Sequence, residues 1–328
     1  MNWLITGGCG FIGAALIQKI ASDTQHNIRV LDNLTIGSRE DLRSVCNYVE
    51  CSVEKLNDSP SGIELIVGDI LDDNLAVQLA KNIDVIVHLA ANTGVGPSVE
   101  NPRSDCMSNV IGTFNYLEAA RVNNVPRFIF ASSGAPAGEV EPPIHEELPP
   151  HPVSPYGASK LAGEGYCSAY YRTFGVQTVA LRFGNVYGPG SSKKSSVVAK
   201  FIRNALVGKT LEIFGDGTQT RDFIYIDDLV RAVLLASMRD EIGGETFQIA
   251  TNMETTVGEM TDMLVAILGQ RNVQNIQVVN AETRLGDVKR NFSDTSKARE
   301  MLGWEPEASL EQGLVRTVDY FLKGISDR

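Results

Sequence analysis

The sequence predicts an α/β protein in which a doubly wound parallel sheet is joined to a smaller C-terminal α/β domain. Six short apolar segments of the first half have the length of buried strands. Four segments between them repeat apolar residues at spacings of three and four, which is typical of helices that pack on a sheet. The predicted strands are 3–6, 28–32, 63–67, 85–89, 128–132 and 178–183, and the predicted helices are 11–21, 73–81, 105–123 and 156–174.

The 328 residues suffice for two domains. We expect the sheet domain to span residues 1–183, joined by 223–250, and the second domain to span 184–328. Seven of the 13 prolines lie between Pro136 and Pro155, where they exclude a continuous helix or a central strand. This segment is either a surface linker or a stiff active-site loop, and its place between a strand and a helix favours the loop.

The composition excludes several classes of function. The net charge of -11 argues against nucleic-acid binding, which requires a surplus of cations. The five scattered cysteines indicate neither a disulfide framework nor a metal site. Apolar runs are too short to span a membrane, and the N-terminus lacks the pattern of a signal peptide. A cytoplasmic protein is therefore expected.

A glycine-rich segment follows the first predicted strand and opens the first helix. Gly7, Gly10 and Gly13 permit a tight turn, close approach of a pyrophosphate and close packing of helix on strand. The N–H groups of Phe11 and Ile12 at the helix N-terminus would then face the phosphates. The segment predicts a dinucleotide site.

The second predicted strand ends in Asp32, 19 residues after Gly13, followed by Asn33. An acid at this spacing hydrogen-bonds the adenosine ribose and would repel a 2′-phosphate, so NAD is predicted rather than NADP. A turn-capping aspartate is the alternative. Ligands of such sheets lie beyond the strand ends, and the residues there that we expect around the dinucleotide are Asp69, Ile70, Leu89, Ala90 and Ala91.

Tyr156 precedes Lys160 by four residues, so a helix would place both on one face. A tyrosine of pKa ~10 becomes a base near neutrality only if its anion gains about 4 kcal/mol, at ~1.36 kcal/mol per pKa unit. An ammonium and a positively charged nicotinamide can supply that together. The alternative is an ordinary buried tyrosine and an exposed lysine, which the glycine motif and the strand-end Ser133 disfavour.

The chain resembles the NAD-dependent sugar epimerase/dehydratase family of extended short-chain dehydrogenases/reductases. The shared motifs include TGGCGFIG, LDNL, GDI, HLAA, NVIGT, YGASK, LRFGNVYGP, GDGTQTRDFIYIDDL and SKAREMLGWEP. The resemblance implies a Rossmann fold, NAD as cofactor, a nucleoside-diphosphate-sugar substrate and a homodimer formed through helices 105–123 and 156–174.

The resemblance also implies roles for individual residues. Tyr156 is the expected catalytic acid/base, Lys160 binds the nicotinamide ribose, and Ser133 binds the sugar 4-hydroxyl. Thr93 and Asn109 line the NAD site, although the best-known epimerases of the family have a lysine at the position of Thr93. The residues implied for the substrate are Asn185, Phe214, Arg221, Arg284 and Asn291, the last at a position that gates N-acetyl groups.

Among the reactions of the family, 4-epimerisation through a transient 4-keto sugar is favoured. A 4,6-dehydratase would have Asp-Glu where Gly134-Ala135 follow Ser133, and a decarboxylase would have an acid and an arginine near Tyr156. Dehydratase, decarboxylase and reductase stay open as alternatives, as does a non-catalytic NAD(H) sensor. Ala137 replaces the usual tyrosine of a Val-Tyr-Gly motif, so the sugar stays open among UDP-hexose, UDP-N-acetylhexosamine and UDP-hexuronate.

Overall fold

The computed structural model describes residues 1–23, 25–282 and 288–326. Its strands are β1 (Asn2–Thr6), β2 (Asn27–Asp32), β3 (Val49–Glu50), β4 (Ile63–Val67), β5 (Val85–His88), β6 (Arg127–Ser133), β7 (Gln177–Phe183), β8 (Asn185–Tyr187), β9 (Leu211–Phe214), β10 (Thr220–Arg221), β11 (Phe223–Tyr225), β12 (Thr246–Ile249), β13 (Thr255–Thr256) and β14 (Val278–Ala281). Its helices are α1 (Phe11–Ala21), α2 (Arg39–Arg43), α3 (Asp73–Leu79), α4 (Val95–Glu100), α5 (Pro102–Cys106), α6 (Gly112–Val122), α7 (Pro155–Phe174), α8 (Val197–Leu206), α9 (Ile226–Met238), α10 (Val257–Gln270) and α11 (Leu310–Ser326).

Eight of the described strands form one parallel sheet in the order β12-β7-β6-β5-β1-β2-β4-β3. The chain enters at β1 in the middle, builds outward through β2, and returns to place β5 on the other side of β1. The order of the strands therefore reverses between β1 and β5. Ligands of doubly wound sheets bind at the carboxyl ends of the strands at such a reversal.

Each face of the sheet is covered by its own hydrophobic layer. Alternate residues of β1 point to opposite faces, so Trp3 and Ile5 join one layer and Leu4 joins the other. Helices α1 and α9 contact each other on the first face, while α6 contacts both α3 and α7 on the second. This rigid double layer fixes the strand ends from which the site is built.

The predicted fold class is confirmed, and each of the six predicted strands lies within one residue of its expected bounds. The helix predicted over 105–123 is different in the structure: it begins at Pro102 and contains a π-helical turn, Met107–Ile111, between α5 and α6. Strands β3 and β12, at the two edges of the sheet, were not predicted. The domain boundary at residue 183 stays a prediction.

The second half of the described chain adds α8, α10 and α11 and three two-stranded sheets, formed by β10 with β13, β11 with β8, and β14 with β9. Among the described helices, none has both the length and the apolar content needed to cross a membrane.

Candidate active site

The glycine turn after β1 packs tightly against its neighbours. Gly7 has φ +70°, and a Cβ added to it would lie 2.8 Å from the Ala90 nitrogen. A Cβ on Gly13 would lie 2.4 Å from the Gly7 oxygen. Only glycine fits these two positions, so no side chain of Gly7 or Gly13 covers the backbone at the start of α1.

The N-terminus of α1 is open to an anion. Phe11 is its first residue, Ile12 follows, and the N-cap residue Gly10 makes no side-chain capping bond. The first N–H groups of a helix have no partner within the helix, and they favour negative charge. The residues present therefore fit a dinucleotide pyrophosphate at this turn.

Asp32, at the end of β2, joins the glycine turn to the loop that follows. Its carboxylate accepts hydrogen bonds from the Cys9 N–H at 2.8 Å and the Leu34 N–H at 2.9 Å. Burial raises the pKa of Asp32, and the two backbone bonds oppose that rise. Each oxygen keeps a further lone pair with which it can accept from a ribose hydroxyl. Asn33 instead accepts from the Thr35 N–H and hydroxyl, at 3.2 and 2.7 Å.

The loop after β5 is held against β1 by Thr6. The Thr6 carbonyl accepts from the Leu89 N–H and its hydroxyl oxygen from the Ala90 N–H, both at 3.2 Å. Ala91 is half-buried, and Thr93 is exposed. The predicted residues of the loop after β5 therefore lie next to the glycine turn after β1.

The predicted residues after β4 differ in exposure. Asp69 is exposed, and its side chain accepts from the Leu71 N–H at 3.0 Å. Ile70 is buried beside Gly112, where an added Cβ would lie 2.5 Å from the Ile70 Cδ1 atom. Ile70 therefore belongs to the hydrophobic core at this end of the sheet.

Asn109 fixes the loop after β5 to two helices. Its side-chain oxygen accepts from the Asn92 N–H at 2.8 Å, and Nδ2 donates to the Asn92 carbonyl at 2.9 Å. Nδ2 also lies 2.9 Å from Asp105 Oδ1 and 3.1 Å from Ser159 Oγ. Among the described residues, the buried Oδ2 of Asp105 has no hydrogen-bond partner. A buried carboxylate thus lies within the network that positions this loop.

Tyr156 lies in the first turn of α7, whose start is fixed by two residues that favour helix N-termini. The Ser154 hydroxyl caps the helix by accepting from the Gly157 N–H at 3.1 Å, and Pro155 occupies the first helical position. The Tyr156 phenol lies beside Ser133, the last residue of β6, whose side chain acts to lower the pKa of the phenol. Four residues along, the Lys160 ammonium donates to the Ala131 carbonyl at 2.8 Å. The three predicted catalytic residues therefore form one cluster.

Burial dominates the electrostatics of this cluster. It lowers the pKa of Lys160 to about 8, and the charges of Asp105 and Glu164 oppose that fall. Burial also raises the pKa of Tyr156; the Ser133 side chain acts against that rise and the Asp105 charge adds to it. The protein alone does not make Tyr156 more acidic. A further positive charge is therefore required for Tyr156 to lose its proton near neutral pH.

A cavity of about 380 Å³ lies between β8, α8 and β9. Three of the predicted substrate residues line it: Asn185, Phe214 and Arg221. The Lys200 ammonium lies 5.4 Å from the Phe214 ring centroid. Ser196, also in the lining, has a buried hydroxyl without a partner among the described residues. The cavity thus offers an aromatic ring and polar groups to one ligand.

The cavity adjoins the Ser133–Tyr156–Lys160 cluster through the sheet. Ser133 pairs with Phe183 at the ends of β6 and β7, and β8 begins two residues later at Asn185. Asn291 lies beside the cavity, because its N–H donates to the hydroxyl of Thr220, the neighbour of Arg221. The predicted residue Arg284 lies outside the described residues.

Two buried carboxylates that support the site were not predicted. Asp222 accepts from the N–H groups of Thr251, Asn252 and Ser293, and so joins three segments behind Arg221. Asp105 precedes Asn109 by four residues, and this helical spacing is the one local signal that relates the two residues. His88, the last residue of β5, is a buried core residue, with Nδ1 3.0 Å from Thr6 Oγ1 and a pKa lowered by burial to about 3.

The reversal in the sheet, the glycine turn and the Ser133–Tyr156–Lys160 cluster define a Rossmann-type dinucleotide-binding protein with a cavity beside this cluster. Residues 3–250 match the model of the NAD dependent epimerase/dehydratase family. The chain belongs to that family, as the sequence motifs predict.

Known members are similar over nearly the whole chain. A UDP-glucose 4-epimerase of Mycolicibacterium smegmatis is 35% identical over 98% of both chains. The crystal structure of a Thermotoga maritima UDP-glucose 4-epimerase with UDP-glucose is 36% identical, with a TM-score of 0.88 over 99% of this chain and 100% of that one. A Bacillus cereus UDP-glucuronic acid 4-epimerase, with UDP-glucuronic acid and NAD, is 32% identical, with a TM-score of 0.87 over 98% and 99%.

Proposed function

We propose that this protein interconverts the C4 epimers of a UDP-linked sugar with NAD as its cofactor. The observation that supports this most directly is the Ser133–Tyr156–Lys160 cluster, which adjoins a cavity lined by Asn185, Phe214 and Arg221. The activity named for the similar proteins is the one predicted from the sequence. The family description likewise names the predicted cofactor.

The proposed NAD site follows the carboxyl ends of β1, β2, β4 and β5. Backbone groups of the glycine turn face the pyrophosphate, and Asp32 accepts from the adenosine ribose. Lys160 binds the nicotinamide ribose, and Asn109 holds the Ala91–Thr93 segment in place. When bound, NAD supplies reversible oxidation at the C4 carbon of the sugar.

The proposed role of Tyr156 is to take the proton from the sugar 4-hydroxyl and to return it to that oxygen when the C4 epimer is formed. Ser133, which lies beside the phenol, binds that hydroxyl and aligns the two oxygens. Lys160, cationic below a pKa of about 8, favours the phenolate without taking the proton itself. The positive nicotinamide adds the charge that the protein alone lacks.

Epimerisation requires the sugar to turn over while the nucleotide stays bound. The cavity favours this arrangement because its aromatic and cationic lining suits a nucleotide: Phe214 flanks the base, and Arg221 neutralises the diphosphate. We keep Arg284 as a second predicted diphosphate ligand. The sugar itself meets mainly Ser133 and Tyr156, so it is held by few groups and is free to rotate.

The structure gives no support to dehydration at this site. Elimination of water needs an additional acid and base. The residues after Ser133 are Gly134 and then Ala135–Ala137, which form a 3₁₀ turn without a carboxylate. Ala137, at the position of the family's usual tyrosine, is buried.

A panel of UDP-sugars tests this proposal. Incubation with UDP-glucose, UDP-N-acetylglucosamine or UDP-glucuronate, without added reductant, is expected to yield the matching 4-epimer by NMR for at least one sugar. A dehydrated or decarboxylated product would indicate another reaction of the family. No change in any sugar by a protein that retains NAD would favour the non-catalytic sensor.

We also propose that two copies pair through the helices α6 and α7, with the π-helical turn between α5 and α6. Met107, Ile111 and Tyr166 expose 39%, 38% and 40% of their surface. On the same helices, the Phe114 ring packs edge-on against the Tyr166 ring, with 5.6 Å between the ring centroids. An apolar surface of this kind is typical of a homodimer contact. A cytoplasmic location stays a prediction.

A further inference from the structure

The loop between β8 and α8, residues 188–196, is a well-built element. Ser191–Lys193 form a 3₁₀ turn, and the Lys194 N–H donates to the Ser191 carbonyl at 2.9 Å. From α8, Arg203 donates to the Ser192 carbonyl at 2.7 Å. These bonds hold the backbone of the loop in place at Lys193 and Lys194.

This loop reaches across to the dinucleotide half of the chain. The Lys193 ammonium lies 2.5 Å from Asp41 Oδ2 and 3.1 Å from Ser38 Oγ, at the start of α2. A Cβ added to Gly190 would lie 3.4 Å from the Phe11 ring. The loop therefore packs on the first residue of α1, beside the glycine turn.

Lys194 is the cation that this packing brings to the turn. Its ammonium lies 5.5 Å from the centroid of the Phe11 ring. Within the described part of the chain, no carboxylate lies within 4.0 Å of it, whereas Lys193 is neutralised by Asp41. Partial burial lowers the pKa of Lys194. Burial of an ammonium group away from water costs free energy unless an anion lies beside it, so this position favours an anionic ligand.

Two features distinguish this place from the nucleotide-sugar cavity. Lys194 does not line that cavity, whose own cations are Lys200 and Arg221. Phe11, which Lys194 covers, is the first residue of α1, where helix geometry favours phosphate.

We propose that Lys194 donates a hydrogen bond to the pyrophosphate of the bound dinucleotide, and that the Lys193–Asp41 contact holds the loop over the glycine turn for this purpose. The inference rests on the proposed function, because it takes the dinucleotide site at the glycine turn as given. An ammonium and a phosphate oxygen form a charge-assisted bond, which is stronger than a neutral one. Lys194 thereby helps the protein to retain its cofactor.

The release of NAD from the holoprotein tests this proposal. Wild type, Lys194→Met and Lys194→Arg are diluted into NAD-free buffer at low and high KCl, and the NAD that passes a filter is measured over time. Lys194→Met is expected to release NAD about tenfold faster or more at low salt, since a hydrogen bond to a charged group is lost. Lys194→Arg is expected to stay within about threefold of wild type. The difference between wild type and Lys194→Met should shrink at high salt.

Lys209→Met is the matched control, because it removes the same charge from an exposed lysine that follows α8. Equal release from Lys194→Met and wild type, with NAD retained by both, would overturn the role of Lys194 and leave the proposed function intact. Wild type that holds no NAD would instead contradict the proposed function. Unchanged NAD release together with weaker binding of UDP by calorimetry would assign Lys194 to the sugar nucleotide and also overturn the proposal.

Discussion

The Lys160 ammonium lies 6.0 Å from the centroid of the Tyr156 ring, one helical turn away, and bonds the Ala131 carbonyl rather than the phenol oxygen. Lys160 therefore makes no direct hydrogen bond to Tyr156. The Ser133 side chain, in contrast, lies close enough to the phenol to lower its pKa. Since burial raises the pKa of Tyr156, the free protein holds this tyrosine protonated, and we expect its pKa to fall when the positively charged cofactor binds.

Tyr156→Phe tests the proton transfer. The substitution removes the phenol oxygen and keeps the ring, so kcat is expected to fall by about 10²- to 10⁴-fold while NAD stays bound. The measurement is turnover of the active UDP-sugar, with the NAD content determined after denaturation. Tyr171→Phe on the same helix is the control and should retain full activity. Turnover near the wild-type rate in Tyr156→Phe would contradict the assigned role.

Asp105→Asn tests the effect of the buried carboxylate on the cluster. Asparagine keeps the acceptor for Asn109 and removes the charge that raises the pKa of both Tyr156 and Lys160. Without that charge the Tyr156 anion forms more readily. The acidic limb of the kcat/KM profile is therefore expected to move to lower pH.

An exposed aspartate supplies the control for this substitution. Asp23→Asn changes the net charge equally at an exposed position far along the chain from the cluster, and should leave the profile in place. A profile of Asp105→Asn that overlays that of wild type would show that the Asp105 charge does not reach Tyr156.

The sequence predicted the elements whose signals are local, and it missed those defined by their neighbours. Central parallel strands such as β1 and β5 are continuous apolar runs, because both of their faces are buried. The two residues of β3 are both exposed, so no apolar pattern marks that strand. Tyr156 and Lys160 have a helical spacing that can be counted. The burial of Asp105 and the contact of Lys194 with Phe11 depend on the whole fold, and no local pattern encodes either of them.

Gly13→Ala tests the tight packing of the glycine turn. The added methyl group would lie 2.4 Å from the Gly7 oxygen, and overpacking of this kind costs about 1–3 kcal/mol. Gly269→Ala is the matched helical control: its methyl group would meet no atom within 4 Å, so it should stabilise the protein by about 0.5–1 kcal/mol. Urea unfolding of both variants should give free-energy changes of opposite sign. A stabilised Gly13→Ala variant would contradict the close contact.

His88→Phe tests the buried histidine. In the folded protein the pKa of His88 falls from 6.5 to about 3, so between these values the unfolded chain binds more protons and unfolding becomes more favourable as the pH falls. This term alone should lower the free energy of unfolding by about 2 kcal/mol between pH 7 and pH 5. The phenyl ring of the variant cannot titrate and can keep the aromatic stack that His88 makes with Tyr116, so the variant should lose less stability on acidification. Equal losses in both proteins would show that folding does not lower the pKa of His88.

Ile111→Asp tests the proposed homodimer. Ile111 exposes 38% of its surface in the single chain, and a partner copy would cover it. A carboxylate buried at the centre of such a contact is expected to weaken the dimer by about 2 kcal/mol or more, or roughly 30-fold in Kd. Light scattering over a dilution series should find two chains for wild type and a shift toward one for the variant. Val207→Asp places the same charge at a residue that is 66% exposed and lies far from α6 and α7 in the chain, and should stay dimeric. A wild-type protein that has the mass of one chain at every concentration would contradict the proposal.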